Sequence, residues 1–191
     1  MILDIFTYFA QFPLQSGVLK MFNAGSSTHE AYATLKTAVK ALPLKERIPG
    51  ITDYVFGQSY ETVKGYVDGL VDSTYLFVDF GEISSSRDSR NSIQDRFHLA
   101  VTIARKISTT ADLVEQAIVT DQTLALMDEL QACMLADQQP HPWLKEINYT
   151  ITISPFTSSE LSSLGWSMEF YREGADMRNI KDKVNTHLLN Q

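Results

Sequence analysis

Phe97-His98-Leu99-Ala100-Val101-Thr102-Ile103 alternates between large apolar residues and small or polar ones. Successive side chains of a strand point to opposite faces, so a period of two marks a half-buried strand. Phe97, Leu99, Val101 and Ile103 belong to a core, and His98, Ala100, Thr102 and Ala104 face away from it. Upstream, Tyr75 to Ile83 repeats the pattern, with Leu76, Val78 and Phe80 on one face and Tyr75, Phe77 and Asp79 on the other. The two segments predict a hairpin. The run Ser84 to Ser92 between them carries no core-forming residue, which predicts a long, mobile loop at its tip.

Downstream, Thr110 to Ala136 has helical spacing, with Leu113, Ala117, Leu124, Met127, Leu130 and Met134 as the apolar face. Thr109 and Asp112 resemble a capping box, and Thr120-Asp121 offers a point where the helix restarts. Pro140 and Pro142 close this region. Ile147, Tyr149, Ile151 and Ile153 alternate as a third strand, Pro155 to Gly165 reads as a connector, and Leu164, Trp166, Met168 and Phe170 form a fourth. After Gly174, the spacing of Met177, Ile180, Val184 and Leu188 predicts a short amphipathic helix over about 175–189.

Toward the N-terminus, Ile2, Ile5, Phe6, Phe9 and Phe12 share one helical face, and Pro13 ends or kinks that element. This apolar arm, about residues 1–25, is expected to dock on folded protein. His29 to Leu42 reads as a helix stopped by Pro43. Tyr54-Val55-Phe56 suggests a short strand, and Tyr60, Val63, Val67 and Leu70 suggest a helix weakened by Gly65 and Gly69. The expected fold over 1–191 is a single α+β domain: an antiparallel sheet of two hairpins packed on one face by helices, with a helical N-terminal region.

The composition suits a globular chain of 191 residues with a formal net charge of −7. That charge disfavours binding to nucleic acid or anionic lipid. Cys133 is the single cysteine, so no disulfide within the chain is possible, and its helical neighbours make it a small core residue. Asp4 stands where a signal peptide needs basic residues, and Gln11, Pro13 and Gln15 interrupt the apolar run before it is long enough for a bilayer. No membrane partner and a cytoplasmic or particle-associated location are expected.

Motifs for chemistry are missing. His29, His98, His141 and His187 fall in separate elements, without metal-ligand spacing. Asn23 to Ser27 lacks the Gly-Lys-Ser/Thr of a phosphate loop, and Gly165-Trp166-Ser167 lacks the glycine spacing of a hydrolase elbow. Asp121, Asp128 and Glu129 read as a solvated helix face. No cofactor and no catalytic role are expected.

The remaining signal is for binding. Aromatics occupy both strand faces, and a second apolar face calls for a partner or a ligand. The candidate partner-binding residues are Phe77, Asp79, His98, Ala100 and Thr102 on the outward face, with Arg87 and Arg90 in the hairpin loop. Small residues at 100, 102 and 104 would let a neighbouring subunit, or the chain's own N-terminal arm, approach closely.

The order hairpin, helix, hairpin, with a polar run in the first hairpin, resembles phage tail-terminator and tail-completion (head–tail joining) proteins. The matching pieces are Tyr75 to Ile83, Phe97 to Ile103, the Asp112-to-Ala136 helix and Leu164 to Phe170, covering roughly residues 75–171. The resemblance implies a small α+β subunit that assembles into a ring, caps a tail tube and meets other phage-like structural proteins, with no catalytic residues to carry over. The alternative expectation is a carrier of a hydrophobic, lipid-like ligand, with a pocket between sheet and helices.

Overall fold

Alternation in the sequence becomes one five-stranded sheet of order β1-β2-β3-β5-β4 in the computed structural model. It describes residues 1–23, 27–58, 60–87, 89, 91–108, 110–175 and 177–178, without the side chains of 60–62, 149 and 150. The elements are α1 (Ile2–Phe9), α2 (Gln15–Leu19), α3 (Glu30–Lys40), β1 (Asp53–Gly57), α4 (Tyr60–Val67), β2 (Thr74–Arg87), β3 (Ile93–Lys106), α5 (Leu113–Ala136), a 3-10 turn (Pro142–Glu146), β4 (Ile147–Ser158) and β5 (Ser163–Ala175). The α+β class expected from the pattern is the one observed. β2–β3 and β4–β5 are antiparallel hairpins, and β1 adds to β2 in parallel.

β3 sits at the centre, paired with β2 on one side and β5 on the other. Its Phe97, Leu99, Val101 and Ile103 are all buried, with Leu76 and Val78 of β2 and Met168 and Phe170 of β5 beside them. α5 covers this face with Met127, Leu130 and Met134. α1 joins the same core through Ile5, Phe6, Tyr8 and Phe9. The N-terminal arm therefore completes the main core. The arm, offered from sequence as one cover for the outward face of β3, lies instead on the core side of the sheet, where its apolar stripe is buried. Tyr54 of β1 ties it down, donating its hydroxyl to the Phe6 carbonyl at 3.1 Å.

An ion-pair clamp locks the arm to the far end of α5. Arg47 reaches both oxygens of Asp137, at 2.6 and 2.9 Å, and the Tyr8 hydroxyl donates to the same carboxylate at 3.0 Å. The Arg47 hydrogen bond holds the Asp137 carboxyl below its usual range, against the opposing effect of burial. A depressed carboxylate stabilises the fold above its unfolded value of about 3.9, and that contribution vanishes as pH falls through the lower folded value. Urea midpoints should therefore drop as the pH is lowered below about 4, and Asp137→Asn should flatten that part of the acid limb. An unchanged acid limb in the variant would remove the clamp from the stability account.

Several expectations need correction. The run Ser84 to Ser86 is strand: Ser84 pairs with Arg96, Ser85 with Asp95, Ser86 with Gln94, and Arg87 with Ile93. A backbone ladder needs no apolar side chains, and Ser85 gains a hydrogen bond to buried Asp95. Only 88–92 remain as the tip, and within them Arg90 lies outside the described residues. Pro155, expected in a connector, sits in β4, which is an edge strand where a missing N–H is tolerated. Asp112 caps α5 by itself, accepting from the N–H groups of Val114 and Glu115 at 2.9 and 2.8 Å. Thr109 and the C-terminal helix expected over 175–189 fall outside or largely outside the described residues. α5 runs unbroken through Thr120-Asp121.

Candidate interaction surfaces

Two surfaces come from the pattern of faces that the sheet and α5 leave over. The first is the side of the sheet opposite the main core. In register, Asp53, Val55 and Gly57 of β1 stand beside Tyr75, Phe77 and Asp79 of β2, followed by Ala104, Thr102 and Ala100 of β3 and Gly165, Ser167 and Glu169 of β5. α4 covers one end. Its Val63 and Val67, with Leu70 in the turn that follows, form a second cluster with Val55, Tyr75, Ala104 and Leu161, and Phe77 and Phe156 pack against it. Helices therefore lie on both sides of the sheet, unequally.

The other end of this face is open and polar. Ala100 is half-buried between Asp79 and Glu169 in the cross-strand row. Thr102 is buried and donates to the Ser167 hydroxyl at 3.0 Å. The His98 Nε2 lies 3.6 Å from Glu169, and its ring is 5.1 Å from that of Tyr171. Arg96 lies 4.2 Å over the Tyr171 ring and pairs with Glu173 at 2.9 Å. Carboxylates of β2 and β5 thus flank Ala100, and Arg96 and His98 each have an acidic and an aromatic neighbour on β5.

Five of the sequence-predicted residues, Phe77, Asp79, His98, Ala100 and Thr102, do share this face. Phe77 is partly used by α4. Arg87 is not with them. A bulge between Phe80 and Ile83 shifts the register, so Ile83 pairs with Phe97 on the core side and Arg87 continues that side's parity. Its guanidinium donates to Asn91 at the hairpin tip, at 2.6 Å. Gly81 makes the bulge possible here, because a Cβ on it would sit 2.9 Å from His98 Nδ1.

Burial holds the Asp79 carboxyl above its usual range, with His98 pulling the other way. A raised carboxylate weakens the folded state once it ionises, so its cost is present at neutral pH and relieved as pH falls through the raised value. Asp79→Asn should therefore raise the melting temperature at pH near 7, and the gain should shrink toward acid. A lower melting temperature would mean that the carboxylate makes a contact worth more than its burial.

The second surface is the outer side of α5, and sequence reasoning misplaced it. Leu113 and Ala117 were expected in the core, but both are exposed, while Val119 and Thr123 take the buried positions. Leu113, Val114 and Ile118 are 82%, 68% and 52% exposed, and Leu135 near the other end is 49% exposed. Helical spacing aligns Val114, Ile118, Ala125 and Ala132 into one outward stripe. Asp121 and Asp128 fall between these residues on the same side of the helix, Glu115 and Glu129 lie to one flank, and α5 contains no lysine or arginine. The usable signal was that apolar residues such as Val114, Ile118 and Leu135 fall outside any single helical stripe.

A groove of about 580 Å³ lies elsewhere, at the sheet edge, lined in part by Met21, Val55, Phe56, Val63, Tyr66 and Leu70. Burial there pushes the Tyr66 hydroxyl up to about 12. Among the described residues no three His, Cys, Asp or Glu are grouped to hold a metal, and no helix is long and apolar enough to cross a membrane. Cys133 is half-buried against the main core, and burial pushes its thiol up, away from the reactive thiolate. Comparison with protein-family models, with curated proteins and with solved structures returns no match to this chain.

Proposed function

We propose that this chain is a non-enzymatic structural subunit that associates with copies of itself, of the kind from which phage-like tails and head–tail joints are built. The observation that carries the reading is the outer face of α5. Leu113, Val114 and Ile118 stand in water on a helix whose inner face is already satisfied by the sheet. Such a cluster costs solubility unless a partner covers it. The hairpin–helix–hairpin order around α5 supports the phage-like assignment, and the polar row from Asp79 to Glu173 offers a second contact to other particle proteins.

The reading is tested at Ile118. Its side chain points away from the core, so Ile118→Glu should leave the fold intact. It should also place a charge within an apolar contact, at a cost of about 3 kcal/mol or more when desolvated. Sedimentation velocity should show a multimer for the natural sequence and a smaller species for the variant, with unchanged circular dichroism. A folded variant that sediments like the natural protein would exclude α5 as the contact.

The edge groove supports a second reading, binding of a small apolar ligand. Its volume falls in the range of ligand sites, about 300–1,000 Å³, and its walls are largely apolar. It lies between β1 and α4, apart from the sheet–α5 core. Saturable uptake of a fluorescent fatty-acid probe, lost in Val63→Asp, would favour this reading; no saturable uptake would remove it.

A further inference from the structure

We propose that the groove between β1 and α4 binds an apolar small molecule that carries a carboxylate, a fatty acid in chemical class, and that Lys20 reads the carboxylate. This rests on the apolar-ligand reading of that groove and adds the ligand's polar end. Among the described residues that line the groove, Met21, Val55, Phe56, Val63 and Leu70 supply an apolar wall, and Lys20 alone carries a charge. Tyr66 brings a hydroxyl to the same end, donating to the Gly17 carbonyl at 3.4 Å. Burial, and then Asp53, push that hydroxyl up to about 12, so it stays uncharged at neutral pH. The chain's net charge of −7 repels anions at long range. A lysine beside an apolar wall is the local exception, and it favours an anion whose remaining body is apolar. A small polar anion such as phosphate would leave that wall in water.

The fold fixes Lys20 in this position. α2 lies directly on the chain entering β1, because a Cβ on Gly17 would overlap the Thr52 carbonyl oxygen. Lys20 ends α2, and its ammonium donates to Asp53 Oδ1 at 2.6 Å. Asp53 lies beneath it: the Asp53 side chain is 4% exposed, against 57% for Lys20. The other Asp53 oxygen accepts from the Thr52 hydroxyl at 2.9 Å. An ammonium has three N–H donors. Asp53 takes one, and two remain on a side chain that is more than half exposed. A ligand carboxylate can accept them as charge-assisted hydrogen bonds. Across the groove, Gly65 and Gly69 leave the α4 rim bare, and a Cβ on Gly65 would meet nothing within 4 Å. An apolar tail can therefore pass the helix backbone to reach Val63 and Leu70.

Titration of the full-length chain with cis-parinaric acid and with its methyl ester, followed by probe fluorescence, tests this. The natural sequence should bind the acid saturably and about fivefold or more tighter than the ester, the worth of a partly exposed charge-assisted bond. The double variant Lys20→Met/Asp53→Asn removes both charges together, so no buried carboxylate is left unpaired. In it the acid should fall to the ester's affinity, and the ester should bind as before. Gly65→Leu should lose both probes with native circular dichroism, because the new side chain stands in the mouth of the groove. Equal affinity for acid and ester in the natural sequence would overturn the role of Lys20 and leave the apolar-ligand reading intact. A preference for the acid that survives in the double variant would overturn it as well, and binding unchanged in Gly65→Leu would place the ligand elsewhere and overturn the site. No saturable binding of either probe would sink the underlying reading together with the proposal. Should the double variant not fold, salt takes its place: binding of the acid should weaken as salt rises and binding of the ester should not, and acid binding indifferent to salt would overturn the proposal.

Discussion

A chain lacking residues 1–12 is expected to lose cooperative folding altogether. The segment reads in sequence as an arm docked on folded protein, and it supplies Ile5, Phe6, Tyr8, Phe9 and Phe12, all buried in the main core. Phe6 meets Tyr54, Phe22 and Phe56 edge-on at centroid distances of 5.3, 6.0 and 5.2 Å, and Tyr8 meets Trp143 at 5.3 Å. At about 2 kcal/mol for each large side chain buried, the loss is on the order of 10 kcal/mol. That matches the entire stability of a typical domain, about 5–15 kcal/mol. The check is a thermal melt followed by near-ultraviolet circular dichroism. A sharp transition within a few degrees of the full chain would contradict the placement of α1 in the core.

Gly165→Ala is expected to cost about 3 kcal/mol or more, above the ordinary range for one added methyl group. Gly165 lies opposite Ala104 in the β3–β5 pair. A Cβ there would meet the Ile103 carbonyl oxygen at 2.0 Å and the Ala104 Cα at 2.7 Å. Both obstacles are backbone of the central strand, so no rotamer change relieves them. β3 and β5 would have to separate locally, beside the Trp166 hydrogen bond that positions α5. Urea unfolding measures the loss, and a change below about 0.5 kcal/mol, the ordinary scatter of surface substitutions, would contradict this strand geometry.

What the sequence disclosed follows from how each element is constrained. β3 was legible because large apolar side chains alternate with small or polar ones from Phe97 to Ala104, although Thr102 and Ala104 are buried as well. The run Ser84 to Ser86 was illegible because alternation carries no signal when both faces are polar. The side of Arg87 was lost at the bulge between Phe80 and Ile83. One extra residue reverses parity, and a lone Gly81 does not announce it. β1 pairs in parallel through only five residues, and parallel pairing depends on a distant crossover that local pattern cannot encode.

The candidate surfaces show the same division. Phe77, Asp79, His98, Ala100 and Thr102 were placed together because they precede the bulge or lie on the regular strand. Their neighbours Glu169 and Ser167 were missed, since register between distant strands is a tertiary property. In Ala100→Arg the new side chain would stand between Asp79 and Glu169 and find acidic partners. On α5, apolar residues outside the inner face allowed more than one stripe to be chosen. Leu113 and Ala117 were assigned inward, and the outward stripe stayed hidden until the sheet fixed which side was covered.

Self-association through α5 is the claim on which the functional account turns. The most direct measurement is the absolute mass of the full-length chain by size-exclusion chromatography with light scattering, across a hundredfold range of concentration. The account predicts a mass that is a multiple of 21.5 kDa and that falls toward the single-chain value on dilution. A constant 21.5 kDa at every concentration would contradict it.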